Sequence, residues 1–134
     1  MKKPRYVLDS YALMAYLQNE AAAGQVDGLL GQAASSNASL HMSLINLGEI
    51  AYLVERRYGP IQCERVLDRL KAFPVALQEI TLERVVAAAH VKATHPVSYA
   101  DAFAVALAHE LDATIVTGDP EFRQVESVVR VSWL

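Results

Sequence analysis

Four acidic residues stand out because of the structures that their surroundings predict. Asp9 directly follows a short apolar run, and Asp119 comes just after a strongly β-prone run that ends at Thr117. Glu49 and Asp101 are each the only charged residue within an apolar helical stretch. A buried carboxylate without a partner is costly and protonates sooner than it stays charged. Several such groups converging at one place would repel one another unless a cation lay between them.

The chemistry that such a cluster supports is metal binding through oxygen. Carboxylates with no histidine or cysteine beside them suit Mg²⁺ or Mn²⁺ rather than zinc. Asn46 and Glu49 are three residues apart on one helix and share a face, so Asn46 is a candidate for holding a metal-bound water or orienting a carboxylate. Ser10 and Thr117 flank the predicted site and are candidates for supporting a carboxylate by hydrogen bonds.

Each of these residues also has a purely structural interpretation. Asp9 could cap the helix that follows it, and Asp119 before Pro120 has the pattern of a helix start. Ser98 and Asp101 have the spacing of a capping box. The alternatives for the remaining candidates are a solvent-facing side chain for Glu49, a first-turn polar residue for Asn46, and backbone hydrogen bonds for Ser10 and Thr117.

The elements that position these residues alternate between strands and helices. Strands are predicted at 5–8, 40–42, 75–77, 114–117 and 128–131. Helices are predicted over 11–18, 21–34, from the Ser43 cap to Gly59, from Pro60 through Leu70, from the Thr81 cap to His95, and over 99–111. This alternation predicts a parallel sheet with helices on both faces. In such sheets ligands bind outside the carboxyl ends of the strands, where Asp9 and Asp119 lie.

Length and composition favour a single domain over residues 1–134. The chain is 53% hydrophobic and 20% charged, which is typical of a globular protein with its own core. Cys63 is the only cysteine, which excludes an internal disulfide and suits a reducing cytoplasm. No apolar run reaches the length of a membrane span, and Asp9 interrupts the first one. The net charge of −3 argues against nucleic-acid binding by bulk charge but permits a local basic face.

The sequence resembles the PIN-domain family, and within it the VapC toxins. The resemblance rests on YVLDS at 6–10, NLGE at 46–49, SYADA at 98–102 and TGDPEF at 117–122, in this order across nearly the whole chain. It implies an α/β/α sandwich around a parallel sheet, a Mg²⁺ or Mn²⁺ centre, and endonuclease action on RNA. Carried over position by position, the family's acidic residues are Asp9, Glu49, Asp101 and Asp119. The resemblance also implies a homodimer that a cognate antitoxin inhibits by inserting its tail at the active-site groove.

The function expected from this resemblance is hydrolysis of RNA phosphodiester bonds, as the toxin of a type II toxin–antitoxin pair. Asp9 is the expected central ligand, and Asp101 and Asp119 share the ion or ions. Glu49 completes the ligand set or orients the water that the cation activates. Arg123 is the basic residue favoured for contact with RNA phosphates, and an ordinary surface arginine is the alternative.

Other classes of function compete with this hypothesis. A phosphotransfer enzyme of the haloacid-dehalogenase type needs a second Asp two residues after the first, where this chain has Tyr11. A receiver-like signalling module needs a lysine late in the chain, but Lys92 is the last lysine and precedes the strand at 114–117. A PIN fold that only binds RNA or protein, without catalysis, is the remaining alternative.

Overall fold

The computed structural model of the chain describes residues 2–134 as an alternation of strands and helices. The strands are β1 (Arg5–Leu8), β2 (Ser39–Ser43), β3 (Val75–Gln78), β4 (Thr114–Thr117) and β5 (Val131–Trp133). The α-helices are α1 (Ser10–Leu17), α2 (Ala23–Ala34), α3 (Leu44–Tyr58), α4 (Pro60–Lys71), α5 (Leu82–Thr94) and α6 (Tyr99–Leu111). A short 3₁₀ helix, Pro120–Val125, follows β4.

The strands form one parallel sheet in the order β3-β2-β1-β4-β5, with β1 at its centre. Neighbouring residues of a strand face opposite sides of the sheet. Val7 and Ile115 accordingly belong to a hydrophobic cluster with α5 and α6. Leu8 and Val116 belong to a second cluster with α1 to α4. A packed core on each face confirms the predicted three-layer α/β/α sandwich with a central parallel sheet.

Local capping explains why α3 and α5 begin where the sequence predicts, whereas α2 was predicted from residue 21 and begins at Ala23 without a side-chain cap. The hydroxyl of Ser43 accepts the N–H of Ile45 at the start of α3, and Thr81 accepts the N–H of Arg84 at the start of α5. Gly59 has a φ of +91°, which favours glycine, and separates α3 from α4. The longest helix, α3, has 15 residues. No helix within residues 2–134 is long and apolar enough to cross a membrane.

The last strand was placed wrongly by the sequence pattern, which predicted it at 128–131. The N–H groups of Val128 and Val129 instead donate to the carbonyl of Val125, at 2.9 and 3.1 Å, and complete the turn after the 3₁₀ helix. Val129 is buried in the core, so its apolar character reflects packing and not strand pairing. Pairing with β4 begins only at Val131, which lies opposite Ile115.

Candidate metal centre

The carboxyl ends of β1 and β4 lie side by side because these strands are parallel neighbours, with Leu8 opposite Val116. Asp9 directly follows β1, and Asp119 lies two residues beyond the end of β4. Helices α3 and α6 pack against each other and carry Glu49 and Asp101. The fold therefore brings residues far apart in sequence to one edge of the sheet.

Asp9 is almost completely buried at this edge, with 1% of its surface exposed. Its Oδ1 accepts the N–H of Ala12 at 2.9 Å, and its Oδ2 accepts the hydroxyl of Thr117 at 2.5 Å. Burial, helped by the charges of Asp119 and Glu49, raises the pKa of Asp9 to about 7 despite the lowering effect of the two hydrogen bonds. The predicted helix cap is therefore present, and the same carboxylate is electrostatically strained by its acidic neighbours.

Three other carboxylates form a tight cluster beside Asp9. Oxygens of Asp101, Asp119 and Glu121 lie within 4.8 Å of one another, and they grade from buried through half-buried to exposed. Burial raises the pKa of Asp101 to about 7, and the charges of Asp119 and Asp9 contribute to the shift. The cluster is thus closed on the protein side and open to solvent at Glu121.

Thr117 connects Asp9 with this cluster. Its buried hydroxyl donates to Asp9 and accepts the N–H of Asp119 at 3.0 Å. Asp119 Oδ1 in turn accepts the N–H of Glu121 at 2.9 Å and starts the 3₁₀ helix at Pro120. Thr117 thus fixes the positions of two acids through two hydrogen bonds, and its role in supporting a bound metal stays a prediction.

Glu49 reaches the site from α3. The hydroxyl of Ser10, in the first turn of α1, donates to Glu49 Oε1. The charge of Glu49 contributes to the raised pKa of Asp9, so the two carboxylates are close enough to interact. The group of three within 4.8 Å contains neither Glu49 nor Asp9. Their roles as direct metal ligands stay predictions.

Asn46 lies fully buried between α3 and α6. Its Nδ2 donates to the carbonyl of Ala100 at 3.2 Å, next to Asp101. Its Oδ1 is buried and has no hydrogen-bond partner within residues 2–134. An orphaned buried acceptor costs about 1–3 kcal/mol, and structures rarely tolerate one without a ligand or water. The amide oxygen of Asn46, five carboxylates and the mutual repulsion among the buried acids together fit a hard divalent cation such as Mg²⁺ or Mn²⁺.

We expect Asn46→Ala to weaken Mn²⁺ binding by roughly 10- to 100-fold, the range seen when groups that support metal ligands are removed. The matched control is Asn37→Ala, which removes an exposed amide. Isothermal titration of the two variants and the wild type with Mn²⁺ measures the effect. Equal affinity in all three proteins would show that Asn46 has only a packing role.

Glu121 is the member of the cluster that sequence reasoning did not select. It lies inside the TGDPEF segment, where Asp119 alone was assigned to the site. Because the Asp119 carboxylate caps the N–H of Glu121, the chain turns back and places the second acid beside the first. An Asp-Pro-Glu sequence directly after a buried strand is the signal that could have identified it.

Arg123 lies on the same 3₁₀ helix and is exposed. Its guanidinium carbon lies 5.8 Å from the centre of the Trp133 ring, at the end of β5. Stacking on an aromatic ring orders a guanidinium without neutralising its charge. Among residues 2–134 Arg123 forms no ion pair, and it follows Glu121, the exposed member of the carboxylate cluster, by two residues.

Comparison with known proteins agrees with this geometry. The PIN domain family matches residues 6–128. No curated protein sequence matches the chain. Among solved structures, VapBC2 from Rickettsia felis bound to a promoter DNA fragment aligns with a TM-score of 0.75 at 15% identity, covering 97% of this chain and 98% of that one.

Two further structures show the same fold. DNA-bound VapBC from Salmonella typhimurium aligns with a TM-score of 0.75 at 15% identity, over 96% of this chain and 97% of that one. VapC20 from Mycobacterium tuberculosis, a sarcin-ricin loop cleaving toxin, aligns with a TM-score of 0.69 at 20% identity, over 88% and 92%. The fold, the site at the carboxyl edge of the sheet and the match over residues 6–128 lead to one conclusion: the chain belongs to the PIN domain family.

Proposed function

We propose that the chain is a divalent-metal-dependent endoribonuclease and the toxin of a VapBC-type toxin–antitoxin pair. The observation that carries the proposal is the cluster of Asp101, Asp119 and Glu121 beside the buried Asp9. Membership of the PIN domain family supports nuclease activity. VapC20, which shares the fold, is a sarcin-ricin loop cleaving toxin and supports RNA as the substrate class.

The residues of the cluster have separate roles in this proposal. Asp101, Asp119 and Glu121 would hold the cation together with Asp9, the predicted central ligand. A divalent cation bound there supplies a lowered pKa for water and stabilises negative charge on the phosphate oxygens. The hydroxyl of Ser10 donates a hydrogen bond to Glu49 Oε1. The other carboxylate oxygen, Oε2, would orient the attacking water or accept its proton.

The proposed function also implies protein partners. We propose that residues 1–134 form a single nuclease domain and that a cognate antitoxin binds it, as the VapBC structures with this fold suggest. A homodimer is supported by exposed apolar side chains on α5, where Leu82 and Val86 are 75% and 59% exposed. Light scattering of the isolated chain measures the oligomeric state.

The test of the function is cleavage of a total RNA pool by the purified chain, free of antitoxin, with Mg²⁺ or Mn²⁺. We expect discrete products whose formation stops in EDTA. The termini of these products identify the bond that is cut. Intact RNA in the presence of folded protein with bound Mn²⁺ would contradict the nuclease function and favour a PIN fold that only binds.

Arg123→Gln should raise the KM for RNA several-fold with little change in kcat, because a phosphate contact binds the substrate without taking part in bond cleavage. The slope of log affinity against log salt concentration should also fall by roughly one counterion. Arg130→Gln is the matched control. Arg130 is an exposed arginine directly before β5, so it lies at the amino-terminal ends of the strands, away from the site. It forms an ion pair with Asp112. Equal effects of both substitutions would exclude a specific role for Arg123.

A further inference from the structure

Tyr11 lies at the rim of the carboxylate cluster and has no part in the proposed metal binding. Its side chain is 44% exposed, although it follows the buried Asp9 by only two residues. The ring lies against Gly118, since a Cβ added to that glycine would come within 2.4 Å of Cε1 and 2.7 Å of Cζ. Gly118 separates Thr117 from Asp119. An aromatic ring is therefore held beside the proposed metal ligands while remaining open to solvent.

Tyr11 also lines a groove of about 400 Å³ together with residues of α1, the loop after it, α2 and Leu134. The small side chains of Ala15 and Ala22 keep the groove open, and Glu20 and Gln25 supply polar groups along it. This volume falls within the range of small-molecule sites, roughly 300–1,000 Å³. The groove thus combines a ring, a space for a planar group and hydrogen-bonding side chains.

We propose that this groove binds one nucleobase of the RNA, next to the phosphate that is cut, with Tyr11 as the stacking surface. The inference rests on the proposed nuclease function. Proteins that read single-stranded RNA stack unpaired bases on aromatic side chains and hydrogen-bond to the base edges. Tyr11 is suitably placed, because its ring reaches the backbone between Thr117 and Asp119.

The charge of the groove favours a base over a phosphate group. Within the described chain, no lysine or arginine lines the groove, and Glu20 would repel a phosphate. A carboxylate instead accepts hydrogen bonds from amino groups on a base edge, as it does from cytosine N4. The groove should therefore prefer adenine, cytosine or guanine, which carry an amino group, over uracil, which has none.

The test uses single-stranded RNA with 2-aminopurine placed in turn at each position around the cleavage site. Binding is followed by fluorescence with Ca²⁺ replacing Mg²⁺ and, in parallel, in EDTA. At one position we expect quenching by the wild type and by Tyr11→Phe, which retains the ring. Tyr11→Leu should lose the quenching and bind at least about fivefold more weakly, as expected for the loss of one base stack. Matching circular dichroism spectra of the three proteins establish that they are folded.

Gly118→Ala provides an independent second variant. Its methyl group would occupy the space of the Tyr11 ring, so the substitution should displace the ring and reproduce the effect of Tyr11→Leu on RNA binding. If both act through the ring, the double variant binds no more weakly than Tyr11→Leu alone. Additive losses would contradict the stacking role.

The outcomes separate this inference from the proposed function. RNA cleavage by the wild type, with unchanged quenching and affinity in Tyr11→Leu, overturns the base site and leaves the nuclease intact. Tyr11-dependent quenching without any cleavage supports the base site and overturns the nuclease. The absence of both quenching and cleavage overturns the two proposals together.

Discussion

Under the proposed function, we expect Asp101→Asn to lower the rate of metal-dependent RNA cleavage by a factor on the order of 10³, because it removes a buried negative charge from the carboxylate cluster proposed to hold the cation. Asparagine has nearly the same shape as aspartate. The start of α6 is preserved, since it depends on the hydrogen bond from the backbone N–H of residue 101 to Ser98 Oγ. The loss therefore reports on charge and metal binding, not on folding.

The measurement is the initial rate of RNA cleavage across a Mg²⁺ titration, with the wild type and both variants purified in parallel. Asp68→Asn is the matched control, because Asp68 is an exposed carboxylate on α4. The control should cleave at the wild-type rate. Wild-type cleavage by Asp101→Asn at every Mg²⁺ concentration would remove the central support for the metal centre.

Metal-free wild-type protein should become less stable as the pH rises from 5 to 8. The pKa values of Asp9 and Asp101 are raised from 3.8 to about 7 in the folded chain, so the folded state binds protons that the unfolded state has already released. Stability therefore falls as the pH rises from about 4 to the folded pKa of about 7 and levels off above that pH. A shift of this size corresponds to a few kcal/mol for each group, on the order of 4, and less for two groups that interact. Saturating Mg²⁺ at pH 8 should restore the lost stability.

Comparing the wild type with Asp101→Asn isolates the contribution of the Asp101 carboxylate to this pH dependence of stability. In EDTA at pH 8 the variant should be more stable than the wild type, and its stability should depend less on pH. Burial and the charge of Arg5 lower the pKa of His41, so protonation of His41 destabilises the folded state at low pH. This effect is the same in the wild type and the variant and cancels in the comparison. Urea unfolding at several pH values measures the difference. Equal pH dependence in the two proteins would contradict the repulsion among the acids.

The helix starts and the strand ends could be predicted because their causes are local. The Ser43, Thr81 and Ser98 caps each bond to a backbone N–H two or three residues ahead, so the signal lies within a few letters of sequence. Strand β5 could not be placed in this way. Val129 is buried beside a turn, and an apolar residue in a turn is indistinguishable from one in a strand when only the sequence is read.

The candidate site likewise has features that the sequence predicts and features that only the packing of the chain explains. Asp9 and Asp119 could be placed together, since parallel strands end at a common edge of the sheet. The buried oxygen of Asn46 without a partner depends on how α3 meets α6, and no local pattern encodes that. The contact between Tyr11 and Gly118 likewise joins residues on different elements. Sequence reasoning therefore finds the acids more readily than the groups that surround them.

The hydrogen bond between Thr117 and Asp9 joins residues 108 positions apart. During translation β1 emerges long before β4, and it lacks its neighbour on that side until residues 114–117 have been made. Asp119 and Glu121 are synthesised later still. A nascent chain that ends before Asp119 accordingly lacks two of the three carboxylates of the cluster. The order of strands in the sheet thus makes assembly of the carboxylate cluster wait until β4 and the acids that follow it have been synthesised.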